Sequence, residues 1–390
     1  MKSKFFFIFF IFAILILSVS TVNAGENLDL DDDSTTFDLN NQIVTASVTS
    51  TPDKTWTVEY FLSNYNTIQA GETVLIKNGT GIITNQMTLS KDKVNIIAEG
   101  KVILNSDGGD HRCFYITGAD ILIQGITFQN FQISNGNGGA IQWQGSNGVL
   151  KNCNFTNNNI TNGNGGAVSW EGTNGSILGS TFVSNYGRYG GGAIFGSYLA
   201  VNGTLSDSSF IRNTAGSYGG AVYWIGKNSN ISSSIFINNR ISSNSGGAVR
   251  LQGDNSIATD CTFINNTAPK NAGGLICDGK YSILINCTFI NNTAPNGGGG
   301  VWWSGANGTI VNCSFLNSKS TNHKNNGIYI YNVNLNLLGG RGIVDIFFSQ
   351  SSTLSGISVV VLNNETYYHP PNTNINFKEK IISKKIGFIK

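Results

Sequence analysis

Past residue 120, apolar positions alternate with polar ones in short runs that end in glycine or asparagine. Ala140-Ile141-Gln142-Trp143 and Val149-Leu150-Lys151-Asn152-Cys153-Asn154-Phe155 are examples. A period of two over so few residues predicts short strands, and the runs are too brief for helices. The pattern repeats. Gly-Gly, a small residue and Ile or Val occur at Gly138–Ile141, Gly165–Val168, Gly191–Ile194, Gly219–Val222 and Gly246–Val249, with looser copies at Gly273–Ile276 and Gly298–Val301. The second glycines are 27, 26, 28, 27, 27 and 25 residues apart. Phe128, Phe155, Phe182, Phe210, Phe236, Phe263, Phe289 and Phe315 keep the same beat. One such unit cannot bury its own apolar face, but stacked units bury a continuous core and pair their strands in parallel. The pattern therefore predicts an all-β right-handed parallel β-helix over residues 51–318, with repeats of about 27 residues from about residue 126.

The start of this region breaks the rhythm. Val58, Phe61, Leu62 and Tyr65 lie on one helical stripe, which predicts a capping helix near 55–66 over the open end of the first coil. The glycine pairs suit corners that need positive φ or close backbone approach. The Asn pairs after the Phe strand, such as Asn157-Asn158 and Asn265-Asn266, suit left-handed turns and stacked amide ladders. Residues 319–390 read as a β-rich C-terminal segment, fitting a small or truncated sandwich-like module, with a basic tail.

Composition narrows the setting. The first 24 residues place Lys2 and Lys4 before an apolar run and end in Val22-Asn23-Ala24, the layout of a signal peptide. Residues 25–50 read as an acidic linker. The chain is expected to be extracellular or at the cell surface, touching a membrane only if the signal remains as an uncleaved anchor. Only 12% of residues are charged and the net charge is +2, which gives no basis for recruiting nucleic acid. Of the twelve Asn-x-Ser/Thr triplets, Asn174, Asn202 and Asn307 fall between strands and are the candidate N-glycosylation sites.

The Gly-Gly-Ala-Ile/Val motif paired with Phe-x-Asn-Asn resembles the repeat of chlamydial polymorphic outer membrane proteins. It is also similar to the adhesin-like β-helix proteins of methanogenic archaea, whose first coil resembles Ala70–Thr80 here. The likeness covers roughly residues 55–318. It implies a β-helix on the cell exterior, associated with attachment to glycans, to host or neighbouring cells, or to cell wall.

Candidate chemistry is sparse. From residue 137 to 316 the acids are Glu171, Asp207, Asp254, Asp260 and Asp278, and there is no histidine. Glu171 lies three repeats before Asp254, about 14 Å at a spacing of about 4.8 Å per coil, and Asp278 falls in another column. Paired carboxylates for hydrolysis are missing from this inventory, as are clustered ligands for a metal. The expectation is a scaffold that is not an enzyme and carries no catalytic residue, metal or cofactor. A carbohydrate-active enzyme is the alternative, and a structural envelope component a second.

Trp143, Trp170, Trp224 and Trp303 each lie four residues after a second glycine and form one column. They share a face with Ile141, Val168, Val222 and Val301, so they either fill the core or form a stripe on which sugar rings stack. Exposure of the indoles decides between the two. Cys153, Cys261, Cys287 and Cys313 occupy a slot that elsewhere holds Ser180, Ser208 and Ser234. Buried thiols are expected there ahead of disulfides, because side chains stacked in parallel are poorly directed for bridging.

Overall fold

The structure, a computed structural model, describes residues 51–320, 327–331 and a series of short strands between 334 and 388. The expected signal peptide, acidic linker and basic tail lie outside the described residues. The chain is a parallel β-solenoid of about nine turns with one short helix at its N-terminal end.

That helix, α1 (Val58–Asn64), starts where Thr57 accepts a hydrogen bond from the Tyr60 amide at 3.2 Å, and it runs on into a 3-10 turn, Tyr65–Thr67. Its Val58 and Phe61 are buried, and Phe61 meets Phe114 edge-on at 6.4 Å. The strand beneath it, Thr73–Ile83, carries glycine at 81 because a Cβ there would lie 2.5 Å from Val58. Lys54 and Glu72 form an ion pair at 2.5 Å that ties the first strand to this end.

Each coil then follows one plan. The Gly-Gly strand, such as Ile141–Trp143, leads through a glycine corner to Val149–Lys151. A left-handed residue, Asn152, turns the chain into the Phe strand, Asn154–Thr156. A second, Asn157, turns it into Asn159–Ile160, and a loop returns to the next glycine pair. Gly-Gly strands pair in parallel from coil to coil (Val168↔Ile141, Val168↔Ile194), and Phe strands do the same (Phe155↔Phe128, Phe155↔Phe182).

Ladders follow from the stacking. The eight phenylalanines form one column with ring centroids 4.6–4.9 Å apart and interplanar angles of 11° or less. Each buried ring contributes about 1.5–3 kcal/mol by area alone. The Asn pairs divide two tasks. The first member (Asn157, Asn238, Asn265 and Asn291, with Ser184 and Arg212 in its place in two coils) holds the left-handed turn, and the second (Asn158, Asn185, Asn213, Asn239, Asn266, Asn292) is buried in an amide ladder. Asn213 is typical: Nδ2 donates to Phe182 O and Asn239 Oδ1, both at 3.0 Å, and its Oδ1 accepts from the Asn185 amide.

One register differs from the sequence expectation. Leu275 pairs with Val249 and Val301, so the coil aligns Ala272-Gly273-Gly274 with Gly246-Gly247-Ala248. Ala272 therefore occupies the left-handed glycine position, with φ of 51°. The strands described beyond Ser320 continue the solenoid and do not form a sandwich-like module. Gly327–Ile330 pairs with Val301–Trp303, and Asn334–Leu338 with Gly308–Val311, all in parallel.

Candidate functional site

The tryptophan column faces inward. Trp143 and Trp170 are fully buried, and Trp224 and Trp303 are 1% exposed. Trp143 and Trp170 stack on each other at 4.5 Å. Glycines make room for the indoles: a Cβ at Gly148, Gly175 or Gly308 would lie 2.3, 2.0 and 2.3 Å from the tryptophan five residues before it. Trp224 leans back over Gly196 and Gly203 of the preceding coil. Of the two roles the sequence left open for these tryptophans, the column fills the core, and no indole face is exposed to a sugar ring. The Trp-to-Gly spacing of five residues was the available signal.

The residue between the two inward positions of each Gly-Gly strand points away from the core instead, although Ser169, Phe195 and Ile276 are themselves buried. Along the stack these are Tyr115, Gln142, Ser169, Phe195, Tyr223, Arg250, Ile276, Trp302 and Tyr329. The next outward position carries Gln144, Glu171, Ser197, Ile225, Gln252, Asp278 and Ser304. Planar polar groups in these two columns are hydrogen-bonded into clusters. Arg250 Nε donates to Asp278 Oδ2 at 2.7 Å, and Ser304 Oγ donates to Asp278 Oδ1 at 2.5 Å. The guanidinium lies 4.3 Å from the Tyr218 ring centroid and 5.7 Å from that of Tyr223. Tyr223 Oη donates to Gln252 Oε1 at 2.5 Å. Burial pushes the Tyr223 phenol up, and the neighbouring Arg250 charge offsets only part of that, so the phenol remains a donor. Toward the other end, Gln142 and Gln144 each donate to one oxygen of Glu171, at 2.9 and 3.0 Å, and Tyr115 donates to Gln144 at 2.7 Å.

Glu171 and Asp278 are thus not isolated surface charges, as counting them along the chain implies. Asp254 sits 3.5 Å from Lys227, away from both clusters. Trp302 and Tyr329 stack at 4.1 Å, and Trp302 also stacks on Tyr331 at 5.5 Å. Asn174 and Asn202 lie in exposed left-handed turns, and their Nδ2 groups donate to Asn147 and Asn174 in an outer amide ladder. Asn307 lies in the equivalent exposed turn. All six cysteines are free and buried. Burial pushes the Cys153 and Cys277 thiols up to about 12, and Cys113 well above its ordinary value.

Residues 286–302 match the Chlamydia polymorphic membrane protein repeat. No curated protein matches the chain in sequence. Among solved structures, the fold is similar to a mannuronic acid specific polysaccharide family 6 lyase from human gut microbiota. The two are 14% identical over 83% of each chain, with a TM-score of 0.54. It is also similar to the surface protein and adhesin PfbA of Streptococcus pneumoniae, at 13% identity over 85% of this chain and 94% of the other, with a TM-score of 0.52. These likenesses are of fold. They correct one expectation: the lyase match places polysaccharide chemistry on this same scaffold, so the inference of a chain that is not an enzyme falls. Paired carboxylates are a requirement of hydrolysis, whereas other cleavages use a phenol or a cation. No helix among the described residues is long and apolar enough to cross a membrane.

Proposed function

We propose that the protein works outside the cell as a polysaccharide-engaging β-helix, and that glycan meets the outward face of the Gly-Gly strands. The observation that carries this reading is the Arg250–Asp278–Ser304 cluster beside Tyr218, Tyr223 and Gln252. Its members are half-buried and held by one another. Only Nε of Arg250 is used within the cluster, and its Nη groups donate to no described residue. Fixed planar donors and acceptors over aromatic rings suit vicinal sugar hydroxyls, at little ordering cost on binding. The lyase and the adhesin on the same fold support a carbohydrate partner, and the chlamydial repeat supports a surface setting.

A second reading, cleavage of the bound glycan, is favoured by Tyr223. A phenol held protonated beside a guanidinium and a carboxylate suits proton donation to a departing glycosidic oxygen. The same experiment addresses both. The full chain is passed over immobilised polysaccharides and incubated with them in solution, beside Arg250→Ala. Retention that is lost in the variant, without new reducing ends, supports attachment. New reducing ends that vanish in Tyr223→Phe support cleavage. Retention by no polysaccharide sinks the glycan reading.

A further inference from the structure

The two polar clusters on this face are one arrangement built twice. Tyr115 and Tyr223 occupy equivalent outward positions, 108 residues apart. Gln144 and Gln252 are also 108 apart, as are Gln142 and Arg250. In both places the phenol donates to the glutamine one coil on, 29 residues ahead in each case. In both, the outward residue of that second coil donates to a carboxylate on the third, Gln142 to Glu171 and Arg250 to Asp278. The differences are local. Gln144 also donates to Glu171, and a carboxamide at 142 stands where a guanidinium stands at 250.

The register between them is unbroken: Tyr115, Gln142, Ser169, Phe195 and Tyr223 follow one another coil by coil. Four coils separate the two clusters, about 19 Å at about 4.8 Å per coil. Between them Ser169 and Phe195 are uncharged and buried, so a ligand spanning both clusters passes over the residues that cover this column.

Charge selects the ligand class. Arg250 is compensated by Asp278, and Arg112, tied to Gln86 and the Asn137 and Gly138 carbonyls, lies near Glu171. Neither sign is in excess, so a polyanion gains nothing here. We propose that the two clusters are paired subsites for the hydroxyls of one neutral, linear polysaccharide running along the solenoid axis. This deepens the glycan-engaging reading above and rests on it.

Titration calorimetry of the full chain with linear mannan and linear glucan, each as polymer and as disaccharide, tests the pairing. Gln144→Ala and Gln252→Ala alter exposed side chains and leave the core intact. The expected result is a disaccharide stoichiometry that falls from two to one in either variant. Polymer affinity should fall about 100-fold in each, the size of a lost second attachment. If either variant leaves polymer binding unchanged while Arg250→Ala abolishes it, one site acts alone and the pairing is overturned, but the glycan reading stands. Binding of alginate in place of the neutral polymers overturns the neutral class. Binding of none of these polymers overturns the pairing and the glycan reading together.

Discussion

Ala272 holds a left-handed position that the neighbouring coils give to glycine. Its equivalents, Gly246 and Gly298, adopt positive φ without a Cβ, whereas Ala272 holds φ of 51° with one. The left-handed conformation costs an L-residue about 1–2 kcal/mol, and glycine gives back about 0.5–1 kcal/mol in chain entropy. Ala272→Gly should therefore stabilise by about 0.5–1 kcal/mol, seen as a higher urea midpoint at unchanged slope. Thiols give a second effect at this scale. Cys153 and Cys277 are raised to about 12 by burial from an ordinary value of 9.0. A thiol whose folded value lies above its unfolded one stabilises fully below the unfolded value and loses that contribution as pH climbs toward the folded one. The window is thus pH 9 to about 12. Stability should hold to about pH 9 and then fall, by about 1.4 kcal/mol per pH unit for each such thiol. Cys153→Ser should shallow the fall, because Ser180, Ser208 and Ser234 already fill that slot. Equal slopes for variant and parent, measured by urea titration across the window, would rule the thiol out as a cause.

At the scale of the element, the asparagine ladder is the sharpest case. Asn213→Ala removes two donors and an acceptor and strands the Phe182 carbonyl and the Asn185 amide in a buried column. Each stranded group costs about 1–3 kcal/mol, so a loss of about 3 kcal/mol or more is expected in chemical denaturation. The exposed Asn157→Ala should lose about 1–2 kcal/mol, since it gives up only a favourable left-handed residue. Elements of this kind were legible in the sequence because stacking forces like onto like: Phe on Phe, Asn on Asn, Gly-Gly on Gly-Gly. The stripe Val58, Phe61, Leu62 and Tyr65 likewise announced α1. Which face of a strand turns outward was not legible. Ile141, Gln142 and Trp143 fit either assignment until the glycines at 148, 175 and 308 show where the indoles must lie. The register at 272–274 was hidden because Ala272 stands where a glycine belongs. The polar clusters were hidden for a related reason. Their members are 27 to 29 residues apart, so proximity comes only from knowing which columns are adjacent and outward.

For the whole molecule, the consequence of a solenoid is that each coil answers only to its neighbours. Thr181 pairs with Ser209, so residues 181–208 are one complete coil, and removing them joins Ser180 to Ser209 at the equivalent backbone position. Phe182 leaves the phenylalanine column and Phe155 meets Phe210; Trp224 loses the room over Gly196 and Gly203 and its hydrogen bond to Ala200 O, and must repack against Trp170. Asn185 leaves the amide ladder, and Asn158 faces Asn213 with the same donors and acceptors. The shortened chain should unfold in one transition with a smaller denaturant slope, because less surface is exposed on unfolding. Both outward clusters keep all their members, since the deletion touches none of Tyr115, Gln142, Gln144, Glu171, Tyr223, Arg250, Gln252 or Asp278. Their separation drops from four coils to three, about 5 Å less. Disaccharide binding should therefore persist at both clusters with unchanged affinity. Polymer affinity should change, because two subsites gain avidity only when one ligand spans them in its own geometry. A shortened chain that binds disaccharide and polymer just as the parent does would show that the spacing between the clusters has no part in recognition.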